Sequence, residues 1–262
     1  MIHYNPDTHT FNLNGRSSFY SMKVDGNGRL IHLAWGPRPQ TSQNETVLSG
    51  KNQFLLAGFN SFELQRTPDE LLTYGDTSVH EISLKVAFPT LPAQMGNHEA
   101  PHLPIRDVRL RYHSHEITAD ARPGLAPSHG LPVRNANPRE TLRIHLKDPA
   151  QPFAVTLCYR LTPEHDTLER WLELHNEGDA PLLVEKCDFA SLHLPPGTSE
   201  VTTTHGAWGA EFSPQRQTLP VGLFAVGHRS VQTGHFFNPF FLANQPGQAG
   251  EESGVVYFGA LA

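Results

Sequence analysis

At 262 residues and a formal net charge of −6, the chain is long enough for one large domain or two small ones, and it offers no basic stripe for nucleic-acid phosphates. Its 21 glycines and 22 prolines suit many strands joined by turns better than a helical protein, and no apolar run nears the ~20 residues that span a bilayer. Neither nucleic acid nor membrane is therefore expected as a partner. Residues 1–7 show no basic stretch followed by an apolar run, and Cys158 and Cys187 read as free thiols of a reducing compartment. A cytoplasmic location is the expectation.

Residues 10–36 alternate with the strand period. Phe11 and Leu13 lead to a turn at Asn14-Gly15. Phe19 to Val24 lead to a second turn at Asp25-Gly26-Asn27-Gly28, and Leu30 to Trp35 follow. Asn-Gly and Asp-Gly supply the positive φ of tight hairpins, so this is a meander of three strands. Residues 37–73 are less regular, and 60–72 fit either a short helix or an irregular crossing. Tyr74-Gly75-Asp76 and His80 precede an alternating strand carrying Ile82, Leu84, Val86 and Phe88.

After a Pro/Gly-rich loop, a strand is expected from Val108 through Tyr112 to Ile117. It places His113 and His115 on one face. Two imidazoles alone do not make a zinc site, and no third ligand stands at a recognisable spacing, so no metal is expected. Val155, Leu157 and Tyr159 form the next strand, Glu164-His165-Asp166 a turn, and Leu168, Arg170, Leu172 and Leu174 a further strand. Leu182 to Val184 and Phe189 to Leu194 are expected to continue that sheet.

The last quarter sets bulky aromatics between Gly and Pro residues, which reads as short strands and ordered loops. It runs from Gly206-Ala207-Trp208 and Glu211 to His235-Phe236-Phe237-Asn238-Pro239-Phe240, then to Gly254-Val255-Val256-Tyr257-Phe258-Gly259. Gly206 and Gly209 flank Trp208, so the indole is expected to serve mainly as a core residue, with ligand binding the alternative.

In this order the segments resemble the N-terminal domain of family 36 glycoside hydrolases, the α-galactosidases. That family carries a Gly-x-Trp-x-x-Glu segment, a later His-x-x-Asn-Pro-Phe, and a Gly-x-Val-Tyr-Gly-like strand. The run from Tyr112 through Gly130-Leu131-Pro132 to Asn176-Glu177-Gly178 is similar too. Two departures stand out. Val231, Thr233 and Gly234 replace a Gly and a Ser pair, and the family's Asp-aromatic-Arg triplet falls with its Asp on Ser78 and its Arg on His80.

The resemblance implies an all-β fold, a large antiparallel β-sandwich of the supersandwich, galactose-mutarotase-like kind. It implies a single domain over 1–262, cut before its final strands, so that the strand at 255–258 would fray or pair with another copy. In the family the triplet comes from a neighbouring subunit and helps shape the sugar pocket. Here Asp76 and His80 would supply a similar acceptor and donor, with Trp208 as a third substrate-binding candidate. The implied partners are α-galactosides met through a full-length enzyme, the chain's own catalytic barrel, and further copies in a homo-oligomer.

Catalysis is not expected of this chain. The family's two aspartates lie in a (β/α)₈ barrel that follows such a domain, and no strand–helix alternation or Lys-x-Asp motif occurs here. Glu164, Asp166, Glu211, Glu251 and Glu252 read as solvated charges, Cys158 as an inert buried thiol, and no cofactor motif is present. The reading is a non-catalytic N-terminal domain supporting a barrel and subunit assembly. A second reading is a stand-alone sugar-binding module using Trp208 and the loop 236–241. A third, an epimerase-like enzyme, needs a facing histidine and carboxylate that the sequence alone does not reveal.

Overall fold

A computed structural model describes residues 1–38, 68–76, 81–89, 94–95, 98–99, 104–120, 139–222, 224–227 and 238–261. The chain divides into two compact units, Met1–His193 and Leu194–Ala262. In the first, β1 (Ile2–Asn5), β2 (Thr10–Asn14), β3 (Ser18–Val24) and β4 (Leu30–Pro37) form an antiparallel sheet in that order. The expected meander is there, with one more strand before it. The Asp25 carboxylate closes the second turn, accepting from the backbone N–H groups of Asn27 (2.9 Å) and Arg29 (2.8 Å), while Gly28 takes a φ of 76°.

Three short strands follow: β5 (Leu84–Ala87), β6 (Gln94–Met95) and β7 (His98–Glu99). Then β8 (Arg111–Asp120), β9 (Arg139–Lys147), β10 (Phe153–Thr162) and β11 (Thr167–Asn176) make a second four-stranded antiparallel sheet, ordered β11-β10-β9-β8. Residues 106–110 lie outside the ladder, so β8 starts later than alternation suggested. The described part of the uncertain crossing, 68–76, is irregular and carries isolated bridges from Asp69 to Ile31 and from Thr73 to Leu84.

Alternation gives each four-stranded sheet one apolar face, and the two faces supply a common core. Phe11, Leu13, Tyr20 and Met22 come from the first sheet, with Ile144, Leu157 and Tyr159 among those from the second. β12 (Leu183–Cys187) pairs with β5 and not with β11, and no strand forms over 189–194. That corrects the expectation of a continued sheet. Beside β5, the Lys186 ammonium donates to the Glu81 carboxylate (2.9 Å) and the Ile82 carbonyl (2.6 Å), contacts that accompany the pairing with β5.

The second unit holds β13 (Glu200–Ala207), β14 (Ala210–Thr218), β15 (Phe240–Asn244) and β16 (Tyr257–Ala260), ordered β14-β13-β15-β16. The strand expected at 255–258 starts two residues later, at Tyr257, and is registered with β15 as an edge strand, Phe258 opposite Leu242.

Candidate functional site

The Asp76 segment is held by backbone contacts. The Gly75 N–H donates to the Val108 carbonyl at 2.9 Å, and the Thr73 hydroxyl donates to the same oxygen at 2.7 Å. A side chain at 75 would run into the backbone and side chains of 107–109, which is why glycine stands there. The Asp76 carboxylate then accepts from both terminal nitrogens of Arg111, Nη2 at 2.8 Å and Nη1 at 3.3 Å. Its acceptor capacity is thus directed at the first residue of β8. His80 lies outside the described residues.

Trp208 is in a different setting from the one expected. β13 and β14 pair Ala207 with Ala210, so Trp208 and Gly209 form a two-residue hairpin loop. Gly209 takes a φ of 81°, and its N–H donates to the Glu211 carboxylate at 2.9 Å. The Gly-x-Trp-x-x-Glu spacing is therefore a turn device in which the glutamate closes the loop that presents the tryptophan. The indole is 87% exposed, which overturns the expected core placement. A turn residue points off the end of the ladder, where neither sheet face covers it. Asp76 and Trp208 belong to separate units, and His235, Phe236 and Phe237 lie outside the described residues. Phe240 stands on β15 and packs against Phe258 at 5.8 Å between ring centroids.

Nothing local in the chain marks its most elaborate polar constellation. Glu70 is fully buried in the first unit. Its carboxylate accepts from the Tyr20 hydroxyl (2.6 and 2.8 Å) and the Tyr159 hydroxyl (2.7 Å), and His32 Nδ1 lies 3.1 Å away. Arg170 Nη1 forms an ion pair with it at 3.0 Å, at an angle outside hydrogen-bond range, while Nη2 donates to the Glu70 backbone carbonyl. The guanidinium also lies over the Tyr159 ring, 5.2 Å from its centroid. Burial alone would raise the Glu70 carboxyl; the Arg170 charge, with His32 and Tyr20, holds it well below the usual carboxylate range. Beside it, Arg29 grips Asp69 through Nη2 at 2.7 and 2.6 Å. The signal available was the Asp69-Glu70 pair after Pro68, which looks like a surface turn until its distant partners are placed.

A second long-range clamp uses Asp166, which stands at φ 51° after a short 3₁₀ turn. Its carboxylate accepts from the N–H and hydroxyl groups of both Ser17 and Ser18, and a side chain at Gly15 would collide with it. Burial pushes this carboxyl up, but the serine hydrogen bonds outweigh it and bring it down to about 2. Asp166 is therefore a tether between two turns and not a merely solvated charge. Cys158 and Cys187 are free thiols; burial pushes the Cys158 thiol up to about 12, leaving it protonated at neutral pH. Among the described residues, no group of three or more His, Cys, Asp or Glu side chains is placed to hold a metal ion.

Comparison with known proteins adds the family. The sequence matches the glycosyl hydrolase family 36 N-terminal domain over residues 28–262. The chain belongs to that family. It is 27% identical over 263 residues to a bifunctional α-galactosidase/sucrose kinase of Mediterraneibacter gnavus, covering 98% of this chain and 26% of the relative. It is also 27% identical to the α-galactosidase AgaA of Geobacillus stearothermophilus, covering 98% of this chain and 34% of that protein. Among solved structures, the galactosidase domain of the α-galactosidase–sucrose kinase matches with a TM-score of 0.73 at 25% identity, over 95% of this chain and 33% of that one. The family 36 α-galactosidase AgaB of Geobacillus stearothermophilus shares the fold, with a TM-score of 0.76 at 24% identity over 98% and 34% of the two chains. The chain thus spans about a third or less of the relatives it matches, and it has the all-β sandwich architecture that the resemblance implied.

Proposed function

We propose that the chain is the non-catalytic N-terminal part of an α-galactosidase, supporting a catalytic barrel and the assembly of subunits. The observation that carries this is the family match over residues 28–262 within relatives three to four times longer. The match runs through Leu194 without a break, which supports treating both compact units as one N-terminal domain. The exposed apolar groups of the second unit, Trp208, Phe212 and Phe258 among them, suit a surface that meets another protein part. α-Galactosides would be met through the full-length enzyme, with Asp76 and His80 near its sugar pocket. A cytoplasmic location and the absence of nucleic-acid or membrane partners rest on the free thiols and on the charge of −6.

The purified 262-residue chain is expected to release no nitrophenol from a nitrophenyl α-galactoside above the buffer rate. Turnover that disappears in Glu211→Gln or Asp166→Asn would contradict the proposal. The second reading, a sugar-binding module, is favoured by the exposure of Trp208 alone.

A further inference from the structure

A one-residue irregularity in β8 decides where a histidine goes. β8 pairs with β9 as Tyr112 opposite Leu146 and Ser114 opposite His145, so His113 is the extra residue of a β-bulge. Plain alternation would set His113 and His115 on one face, as expected from the sequence. The bulge breaks that period and brings His115 opposite Ile144, where Leu142, Ile144 and Leu146 are the core residues of β9. Tyr112 and His115 therefore share the inner face of the sheet although they are three residues apart, and His113 stays exposed.

The His115 imidazole meets the other sheet. Its centroid lies 4.2 Å from the Tyr4 ring of β1 and 4.9 Å from the Phe11 ring of β2, the latter edge-on at 85°. Tyr4 and Phe11 lie 4.7 Å apart, and Phe11 is fully buried. A tyrosine–histidine pair secures each side. The Tyr112 hydroxyl lies 2.7 Å from His115 Nδ1, and the Tyr4 hydroxyl lies 2.9 Å from His9 Nδ1. His9 stands at φ 53°, a left-handed conformation unfavourable for a side-chain-bearing residue, and its carbonyl accepts from the Val24 N–H at 2.9 Å. β1 and β8 are edge strands of the two four-stranded sheets, so the cluster fastens the sandwich edge to edge.

The groups around the imidazole set its preferred state. Tyr4 comes from β1, His9 from the turn after it, Tyr112 from β8 itself, and apolar Ile144 from β9. Glu116 and Arg143 pair at 3.7 Å on the outer face, and the Glu140 carboxylate of β9 is engaged by the Met1 amino group at 3.6 Å and the Ile2 N–H. A charge on His115 would thus be desolvated without a counter-charge among the described residues, and burial holds the imidazole below the ordinary histidine value. The neutral ring can accept the Tyr112 O–H at Nδ1, whereas the protonated ring can only donate there. We propose that the His115 cluster is a proton-sensitive clasp, closed while the imidazole is neutral and loosened when it is protonated, which frees the β1 and β8 edges from one another. The folded chain takes up this proton less readily than the unfolded chain, whose histidines titrate at about 6.5. The clasp is therefore fully effective above that value and is lost as pH falls through the lower folded one. The proposal goes beyond the scaffold role and does not depend on it.

The test joins an NMR titration of the histidines in the 262-residue chain, from about pH 8 to about pH 5, with amide exchange over the same range. The His115 midpoint is expected below that of the urea-unfolded chain. Protection of β1 and β8 amides, corrected for the intrinsic exchange rate, should fall toward the acid end while that of β10 holds. His115→Phe keeps a ring against Tyr4 and Phe11, and His115→Gln keeps a hydrogen-bond partner for Tyr112; neither takes up the proton. In whichever variant folds, the acid loss of protection at β1 and β8 should disappear. A His115 midpoint at or above the unfolded value would overturn the proposal, since the rings would then stabilise the imidazolium. So would an acid loosening of β1 and β8 that persists in the folded variants, or one that is equal in β10. None of these outcomes bears on whether the chain is catalytic.

Discussion

The two units use the same residue types in opposite ways. In the first, a carboxylate and two tyrosines are buried together: Glu70 accepts from Tyr20 and Tyr159 beneath the Arg170 guanidinium. In the second, a carboxylate and an aromatic are set outward, with Glu211 closing the turn that holds Trp208 in solvent. A buried charge is tolerated only where its partners are fixed, so the Glu70 centre specifies how the crossing 68–76 meets β3, β4 and β11. An exposed indole stabilises little by itself, and its value lies in what it can meet. Stability is concentrated at the one place, and capacity for contact at the other.

The contrast is broken most severely at Glu70. Glu70→Gln leaves Arg170 buried without its counter-charge and is expected to cost about 3–5 kcal/mol in urea denaturation. Pairing it with Arg170→Met should restore part of that loss, since the unpaired charge then goes too. Asp166→Gly keeps the left-handed backbone but removes the acceptor for Ser17 and Ser18, and about 1–3 kcal/mol is expected. The Asp166 carboxyl is lowered to about 2 in the folded chain, so its contribution is fully present above the unfolded value of about 3.9. It is lost as pH falls toward 2, and the Asp166→Gly variant should show a flatter stability profile over that window. Trp208→Ala should change stability by no more than about 0.5 kcal/mol, because the indole is solvated already.

What the sequence showed clearly was period and punctuation. Alternation located β2 to β4, β10 and β11, and the turn at Asp25 to Gly28 closes as its residues require. The order of motifs carried the family. Two features were hidden, each for a physical reason. Glu70 lies 50 residues from Tyr20 and 100 from Arg170, so nothing local distinguishes it from a surface acid. Trp208 followed the backbone rule for a Trp-Gly hairpin loop over the burial tendency of aromatics.

Native-state hydrogen exchange on the wild type and Glu70→Gln tests the central contrast most directly. The account predicts that amides of β3, β10 and β11 are the slow ones and that Glu70→Gln lowers their protection by the full loss in global stability. The amides at the tip of the β13–β14 hairpin, residues 207–211, should exchange fast in both. Equal protection of β10 in the two proteins, or a hairpin tip as protected as β10, would contradict the account.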